Sequence, residues 1–269
     1  NSFDDYSYPI SGKEDETCGN TEEDIKTYTQ SGTASAELDL VKFGIDPEIA
    51  KKFIAFKPSI NLDQEAEKLT RENISIVSFK EESYPELLLE IPKFPPILYF
   101  KGTLNIKDEL CIAVVGTRQI TNYGRTVIPQ LVEPLVSVGC TIVSGMAFGV
   151  DSASHEEAIK QNKRTIAVLG GGLDEKSLYP KHHALLANRI VDSGGALVSE
   201  YPIGTPNFKQ NFVARNRIIS GLSLATLIIE CDLQSGTLIT AKHALDQNRT
   251  VYAVPGPIYS IPFGNVIRL

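Results

Sequence analysis

Six short apolar runs after residue 110 constrain this chain more than any other feature. They read CIAVVG (111–116), CTIVSG (140–145), TIAVLG (165–170), ALVSEY (196–201), ATLIIE (225–230) and TVYAVPG (250–256). Each has a Val- and Ile-rich stretch with no polar alternation. That pattern suits strands buried on both faces, hence parallel strands rather than the half-wet strands of an antiparallel sheet. Helix-compatible segments lie between them at 123–138, 152–161, 182–192, 215–221 and 237–248. Strictly alternating strand and helix predicts an open, doubly wound, mostly parallel α/β sheet. Pro129 and Pro134 should kink or shorten the first of these helices, because each removes a backbone donor.

Upstream, the chain changes character. Residues 1–30 are acidic and weakly periodic, and read as a tail or loosely docked arm. Helical spacing at 34–56 and 63–72 forms a small N-terminal helical module over 31–73, broken at Asp46-Pro47. Leu38, Val41, Ile45, Ile49, Phe53 and Phe56 are expected to share one of its faces. A strand at 74–79, a helical turn at 84–88 and a strand over Ile97–Phe100 that ends at Gly102 then lead into a domain over 74–269, with its core sheet from about residue 110.

Charge is divided along the chain. Residues 1–108 carry 12 Lys and Arg against 21 Asp and Glu, net −9, whereas 109–269 carry 14 against 12, net +2. Screening confines charge effects to about 10 Å at ordinary salt, so the acidic front half does not forbid an anionic ligand behind it. No apolar run approaches the ~18–20 residues that span a bilayer, and the N-terminus is acidic where a secretory leader would be basic and then apolar. Cys18, Cys111, Cys140 and Cys231 show no CxxC pairing, and three of them border or begin predicted strands as small hydrophobes. These features predict a reduced, cytoplasmic protein.

Parallel sheets bind ligands beyond the carboxyl ends of their strands. Here those ends carry Gly116-Thr117-Arg118 with Thr121, Ser144-Gly145, Gly170-Gly171-Gly172 running to Tyr179-Pro180-Lys181, and Ser235-Gly236-Thr237. Any one glycine explains a tight turn. Several small-residue loops on one edge, joined by Arg118, Lys181, Lys209, Arg215 and Arg217, point to phosphate. There is no GxGxxG after the first strand, no GxxxxGK[ST], no HExxH, no Cys/His cluster and no GxSxG, so neither a cofactor nor a metal is expected. His155 reads as a packed or solvated helical residue. Asp151 and Glu230 are either acid/base groups or loop-orienting carboxylates. Cations spread over several loops, with Phe208, Phe212 and Tyr179 offering stacking faces, suit a strand of phosphates better than a single nucleotide.

The same residues resemble the DNA-processing protein A family (Smf/DprA). The likeness lies in VGTR (115–118) with Tyr123-Gly124, SGMAFGVDSASH (144–155), TIAVLGGGLDEKSLYPK (165–181), GALVSEYPIGTP (195–206), RNRIISGLS (215–223), SGTLITAKHALDQNR (235–249) and VYAVPG (251–256). The resemblance implies an extended Rossmann-like fold that binds single-stranded DNA without catalysis. It further implies a cytoplasmic homodimer that protects incoming strands in natural transformation and loads the RecA recombinase. Residue by residue, it makes Arg118, Lys181 and Lys209 phosphate-binding cations within the Gly116–Thr121 loop, the YPK turn and the lead-in to the RNR block. Arg215, Asn216 and Arg217 would line the same pocket, with Phe212 as the stacking aromatic. Ser144-Gly145 and Ser235-Gly236-Thr237 would supply backbone and hydroxyl donors. The chain departs from the family at Val213-Ala214, where a proline is usual, so the loop before the RNR block is expected to be less rigid. It departs again after VPG, where Gly264-Asn265 is out of step, and it stops before a winged-helix domain could form. A nucleotide-hydrolysing phosphoribohydrolase of the lysine-decarboxylase-like type is the competing reading, weakened because Gln234-Ser235-Gly236-Thr237 stands where that family has PGGxGT.

Overall fold

A computed structural model describes residues 41, 46–57, 60–104, 110–232 and 235–256. The expectations for residues 1–30, Leu38, Ile45 and Gly264-Asn265 fall outside these. The chain divides into one unit ending at Glu65 and a second beginning at Ala66. In the first, α1 (Pro47–Phe56) starts where the Asp46-Pro47 break is read. Asp46 Oδ1 accepts from the N–H groups of Glu48 and Ile49 at 2.9 and 3.2 Å, and Pro47 occupies the first turn, where its missing donor costs nothing. Ile49, Phe53 and Phe56 are all exposed. Helix α2 spans Leu62–Arg71.

The larger unit holds β1 (Ser75–Ser78), α3 (Glu86–Leu89), β2 (Ile97–Gly102), β3 (Cys111–Val115), α4 (Asn122–Ser137), β4 (Thr141–Ser144), α5 (Val150–Lys160) and β5 (Thr165–Val168). It continues with a 3-10 turn (Lys181–His183), α6 (Ala184–Asp192), β6 (Ala196–Ser199), α7 (Lys209–Gly221), β7 (Ala225–Ile228), α8 (Gly236–Asp246) and β8 (Thr250–Ala253). The sheet order is β1-β2-β6-β5-β4-β3-β7-β8. All six apolar runs are strands, and all pair in parallel, with β2 alone reversed against its neighbours β1 and β6. The lead-in strands β1 and β2 extend the parallel sheet at its β6 edge.

Successive residues of each strand serve opposite faces, which is why no polar alternation was visible. Val114 packs with Ile128 and Val132 of α4 and Val150 of α5, while Ala113 and Val115 face Ile218, Ile219 and Leu222 of α7 and Ala241 of α8. Leu186 and Ile190 of α6 cover Ala167 and Leu197. Each fully buried Val or Ile is worth roughly 1.5–3 kcal/mol, so the sheet is the main source of stability. Cys111, Cys140 and Cys231 are free and buried, and burial pushes the Cys111 thiol up to about 12. Among the described residues no helix is long and apolar enough to cross a membrane.

Two local expectations change. Of the two effects expected of its prolines, a kink or a shortening, helix α4 does not show the shortening, since both Pro129 and Pro134 lie inside one 16-residue helix. Helix α7 begins at Lys209, six residues before the predicted start. Val213-Ala214 is therefore helix interior, where a proline would be disfavoured and no loop needs stiffening.

Candidate nucleic-acid interface

Strand order reverses at β3. The chain adds β4, β5 and β6 on one side, and α7 then returns it so that β7 pairs on the other. In open α/β sheets the crevice at such a reversal is the usual phosphate site. Here a carboxylate of the chain itself fills it. Glu230, 5% exposed, accepts from the Thr121 N–H at 3.0 Å and from the Thr121 hydroxyl, and Thr121 Oγ1 caps α4 by accepting from Gly124 N at 3.3 Å. A Cβ on Gly124 would lie 2.3 Å from Glu230 Oε2. Thr117 N donates to Glu230 O at 2.7 Å. Thr121 thus has no donor left for an external phosphate, contrary to expectation. Of the two roles open to Glu230, it orients the loop.

The β4 exit is equally committed to itself. Ser144 is fully buried and its hydroxyl donates to Val114 O at 2.7 Å. The N–H groups of Gly145 and Ala147 donate to Asp151 Oδ2 at 3.2 and 3.3 Å. The expected hydroxyl and backbone donors at Ser144-Gly145 are therefore spent inside the loop, and Asp151 orients that loop. Burial pushes its carboxyl above the usual range, opposed by Arg215 nearby. The turn is held tightly: Met146 takes φ 56°, its carbonyl accepts from His183 Nδ1 at 2.8 Å, and a Cβ on Gly149 would meet Thr117 O at 2.3 Å.

Helix α7 sorts the cations of the RNR block. Arg215 is 4% exposed, and its Nη1 donates to Gly145 O at 2.9 Å and to Val168 O. A Cβ on Gly145 would lie 2.6 Å from Arg215 Nη2, so only glycine admits the guanidinium here. Burial pulls the Arg215 pKa down to about 10, with Asp151 opposing. Arg217 sits two residues on, about 200° around the helix, and it pairs with Glu200 Oε2 at 2.5 Å instead. It does not line the cleft. Asn216 Nδ2 donates to Gly236 O at 3.3 Å, and Ser235 caps α8 by accepting from Thr237 N at 3.1 Å while its hydroxyl bonds the Thr237 hydroxyl at 2.9 Å. Asn216 and the Ser235-Gly236-Thr237 turn tie α7 to α8 and stand outside the cleft as well.

What remains open is a small, solvent-facing cleft over the ends of β3, β4 and β5. Arg118 and Arg215 supply its charge, and Phe148, Tyr179 and Phe212 its aromatic faces. Tyr179 and Phe212 lie 5.4 Å apart by ring centroids, and the Arg215 guanidinium sits 5.9 Å from the Phe212 ring. Lys181 follows the lining residue Pro180, and Lys209 lies one turn before Phe212 on α7. Arg118, Lys181 and Lys209 are exposed and have no partner among the described residues. Gly116 and Thr117 stand behind Arg118, where a Cβ on Gly116 would meet Val150 at 2.5 Å. Of the expected site residues, Arg118, Gly145, Phe212 and Arg215 line the cleft, while Lys181 and Lys209 flank it. Phe148 and His183 were not anticipated. The available signal was an aromatic residue between small residues in a strand-exit loop. Among the described residues no group of three His, Cys, Asp or Glu could hold a metal.

In α5, His155 is fully buried. Its Nδ1 pairs with Thr165 Oγ1 at 2.6 Å, and the Thr165 hydroxyl is already donated to Ile142 O at 2.8 Å. Nδ1 must therefore carry the proton, leaving Nε2 bare and unpartnered. Burial, with His183 and Arg215 nearby, lowers the His155 pKa to about 3. Between about pH 6.5 and 3 the unfolded chain binds a proton that the folded chain refuses, so stability falls as pH falls, by about 1.4 kcal/mol per unit from this residue. Urea unfolding should show a loss of about 2 kcal/mol from this residue between pH 7 and pH 5 in the parent, and His155→Gln should reduce the pH dependence by that amount.

The sequence profile of the family described as DNA recombination-mediator protein A matches residues 75–264. Protein Smf of Escherichia coli is 40% identical over 219 residues, covering 81% of this chain and 58% of that protein. The chain thus spans little more than half the length of this relative. The X-ray structure of DNA processing protein A from Streptococcus pneumoniae superposes with a TM-score of 0.70 at 29% identity, covering 90% of this chain and 89% of that one. DNA processing protein A from Helicobacter pylori, whose structure is described as giving insight into its single-stranded DNA binding mode, gives 0.61 at 29% identity, covering 69% and 82%.

Proposed function

The chain belongs to the DNA recombination-mediator protein A family, and from that premise we propose that it binds single-stranded DNA non-catalytically as a recombination mediator. The observation that carries this reading is the exposed Arg118 guanidinium, without a partner among the described residues, over a cleft walled by Phe148, Tyr179 and Phe212. Exposed cations attract backbone phosphates without regard to sequence, and aromatic faces accept any base. Lys181, next to the lining residue Pro180, and Lys209, one turn before the lining residue Phe212, add exposed positive charge. The single-strand preference rests on stacking, because a duplex keeps its bases stacked on each other. Asp151 and Glu230, the carboxylates singled out as acid/base candidates, are occupied as acceptors of loop N–H groups, which supports a binding role over acid/base chemistry.

Three exposed cations predict that log K for a single-stranded oligonucleotide falls against log salt with a slope near −2, at about 0.7 per neutralised phosphate. Fluorescence anisotropy with single- and double-stranded oligonucleotides measures it. Equal affinity for both forms, or binding insensitive to salt, overturns the reading. Release of free base from nucleoside monophosphates would overturn its non-catalytic part. In the cell this binding protects incoming strands in the cytoplasm during transformation and loads the RecA recombinase onto them, with the protein acting as a homodimer. Strand-exchange assays with and without the protein test loading, and a mass measurement in solution tests the dimer.

A further inference from the structure

Aromatic residues precede and follow Lys181 in the chain, and only the preceding one, Tyr179, belongs to the expected stacking pair. Tyr179 packs on Phe212 at 5.4 Å, whereas the two residues after Lys181 pack on Phe148: His183 at 4.7 Å and edge-on, His182 at 6.2 Å. Phe148 is 42% exposed and Tyr179 44% exposed, so each presents ring surface to solvent at the cleft. An exposed phenylalanine has no hydrogen bond to hold it, and loop aromatics ordinarily sample several rotamers. This one stands on a loop restrained at every neighbour: Ala147 N on Asp151, Met146 O on His183 Nδ1, and Gly149 pressed against Thr117 O. A rigid, half-exposed aromatic beside free cations costs little entropy to use and suits a base face.

We propose that Phe148, backed by His183, is a second base-stacking wall, so that the cleft grips two successive bases with the phosphate between them at Lys181. This rests on the single-strand binding reading and extends it. Chain order supports the division of labour. The segment 179–183 places an aromatic of the first wall, then the cation, then the supports of the second wall, in the base–phosphate–base order of a nucleic-acid strand. The ligand class is any single-stranded oligonucleotide, since stacking does not read base identity.

Affinities of the parent, Phe148→Ala, Phe148→Leu, Phe212→Ala and Arg118→Ala are compared on an all-thymine oligonucleotide and on an abasic one of equal length. Phe148→Ala should weaken binding to the thymine strand roughly 5- to 150-fold, the worth of one stacked base, and leave the abasic strand unchanged. Phe148→Leu keeps apolar bulk without a ring face and should behave like the alanine variant. Phe148→Ala with Phe212→Ala should be additive, as separate walls require. If Phe148→Ala binds the thymine strand like the parent while Arg118→Ala does not, the second wall is wrong and the binding reading stands. If both bind like the parent, the strand is held elsewhere than in this cleft, and the second wall falls with it; a parent that binds neither strand overturns the binding reading itself.

Discussion

Replacing Arg215 with alanine is expected to lower the unfolding midpoint by roughly 6–20 °C, the largest effect of any single cleft substitution. The guanidinium is 4% exposed and bonds the carbonyls of Gly145 and Val168, which belong to the exits of β4 and β5. It is also the positive charge beside the buried Asp151 carboxyl, which in turn holds the Gly145–Ala147 loop. Removing one partner of a buried charge typically costs about 3–5 kcal/mol, because the other is left uncompensated. Arg215→Lys should recover only part of the loss, since a single ammonium cannot reproduce the planar fork reaching both carbonyls. Calorimetry of the two variants measures this. An unchanged midpoint for Arg215→Ala would show that the loop is held by something other than this guanidinium.

Arg118→Ala is expected to do the opposite: leave folding alone and weaken single-stranded DNA binding roughly 10- to 100-fold, the range of a charge-assisted contact. Arg118 is exposed, lines the cleft and has no partner among the described residues, so its loss removes no internal bond. The unfolding midpoint should move by no more than about 2 °C, while the salt slope shrinks by about 0.7. Weakening should be uniform across oligonucleotide sequences, because phosphate contacts carry no base information. Binding as tight as the parent's at moderate salt would remove Arg118 from the interface. The pair of arginines is thus separable: one builds the cleft, the other meets the ligand.

The six parallel strands were legible because burial on both faces leaves only apolar residues, and such a run has few other stable fates. The beginning of α7 was not. Its first turns carry Lys209, Asn211 and Phe212, and the helix buries Asn211, Arg215 and Ser220 among its apolar residues, so no amphipathic stripe marks it. The same blindness joined Arg215 to Arg217. As adjacent members of a motif they look like one cationic site, but a helix turns about 200° over two residues and sends them to different neighbours. The small-residue loops lie at the strand ends as expected, and several of the donors expected of them are already used inside the protein. Ser144, Thr121 and Ser235 do form hydrogen bonds, but to Val114, Glu230 and Thr237.

The sequence by itself determined the sheet, its parallel sense, the edge on which chemistry-bearing loops gather, and the resemblance that points to single-stranded DNA. These follow from short-range pattern: hydrophobic period, turn residues and motif order. Only the tertiary structure decided which polar groups are free. Whether a donor faces a ligand or a neighbouring loop depends on partners far along the chain, such as Glu230 for Thr121 and Val168 for Arg215, and their approach is set by how helices cross the sheet. Satisfying its own buried polar groups comes first for a folded chain. What is left at the surface without a protein partner among the described residues, Arg118, Lys181, Lys209 and the ring faces around them, is what remains to meet a ligand.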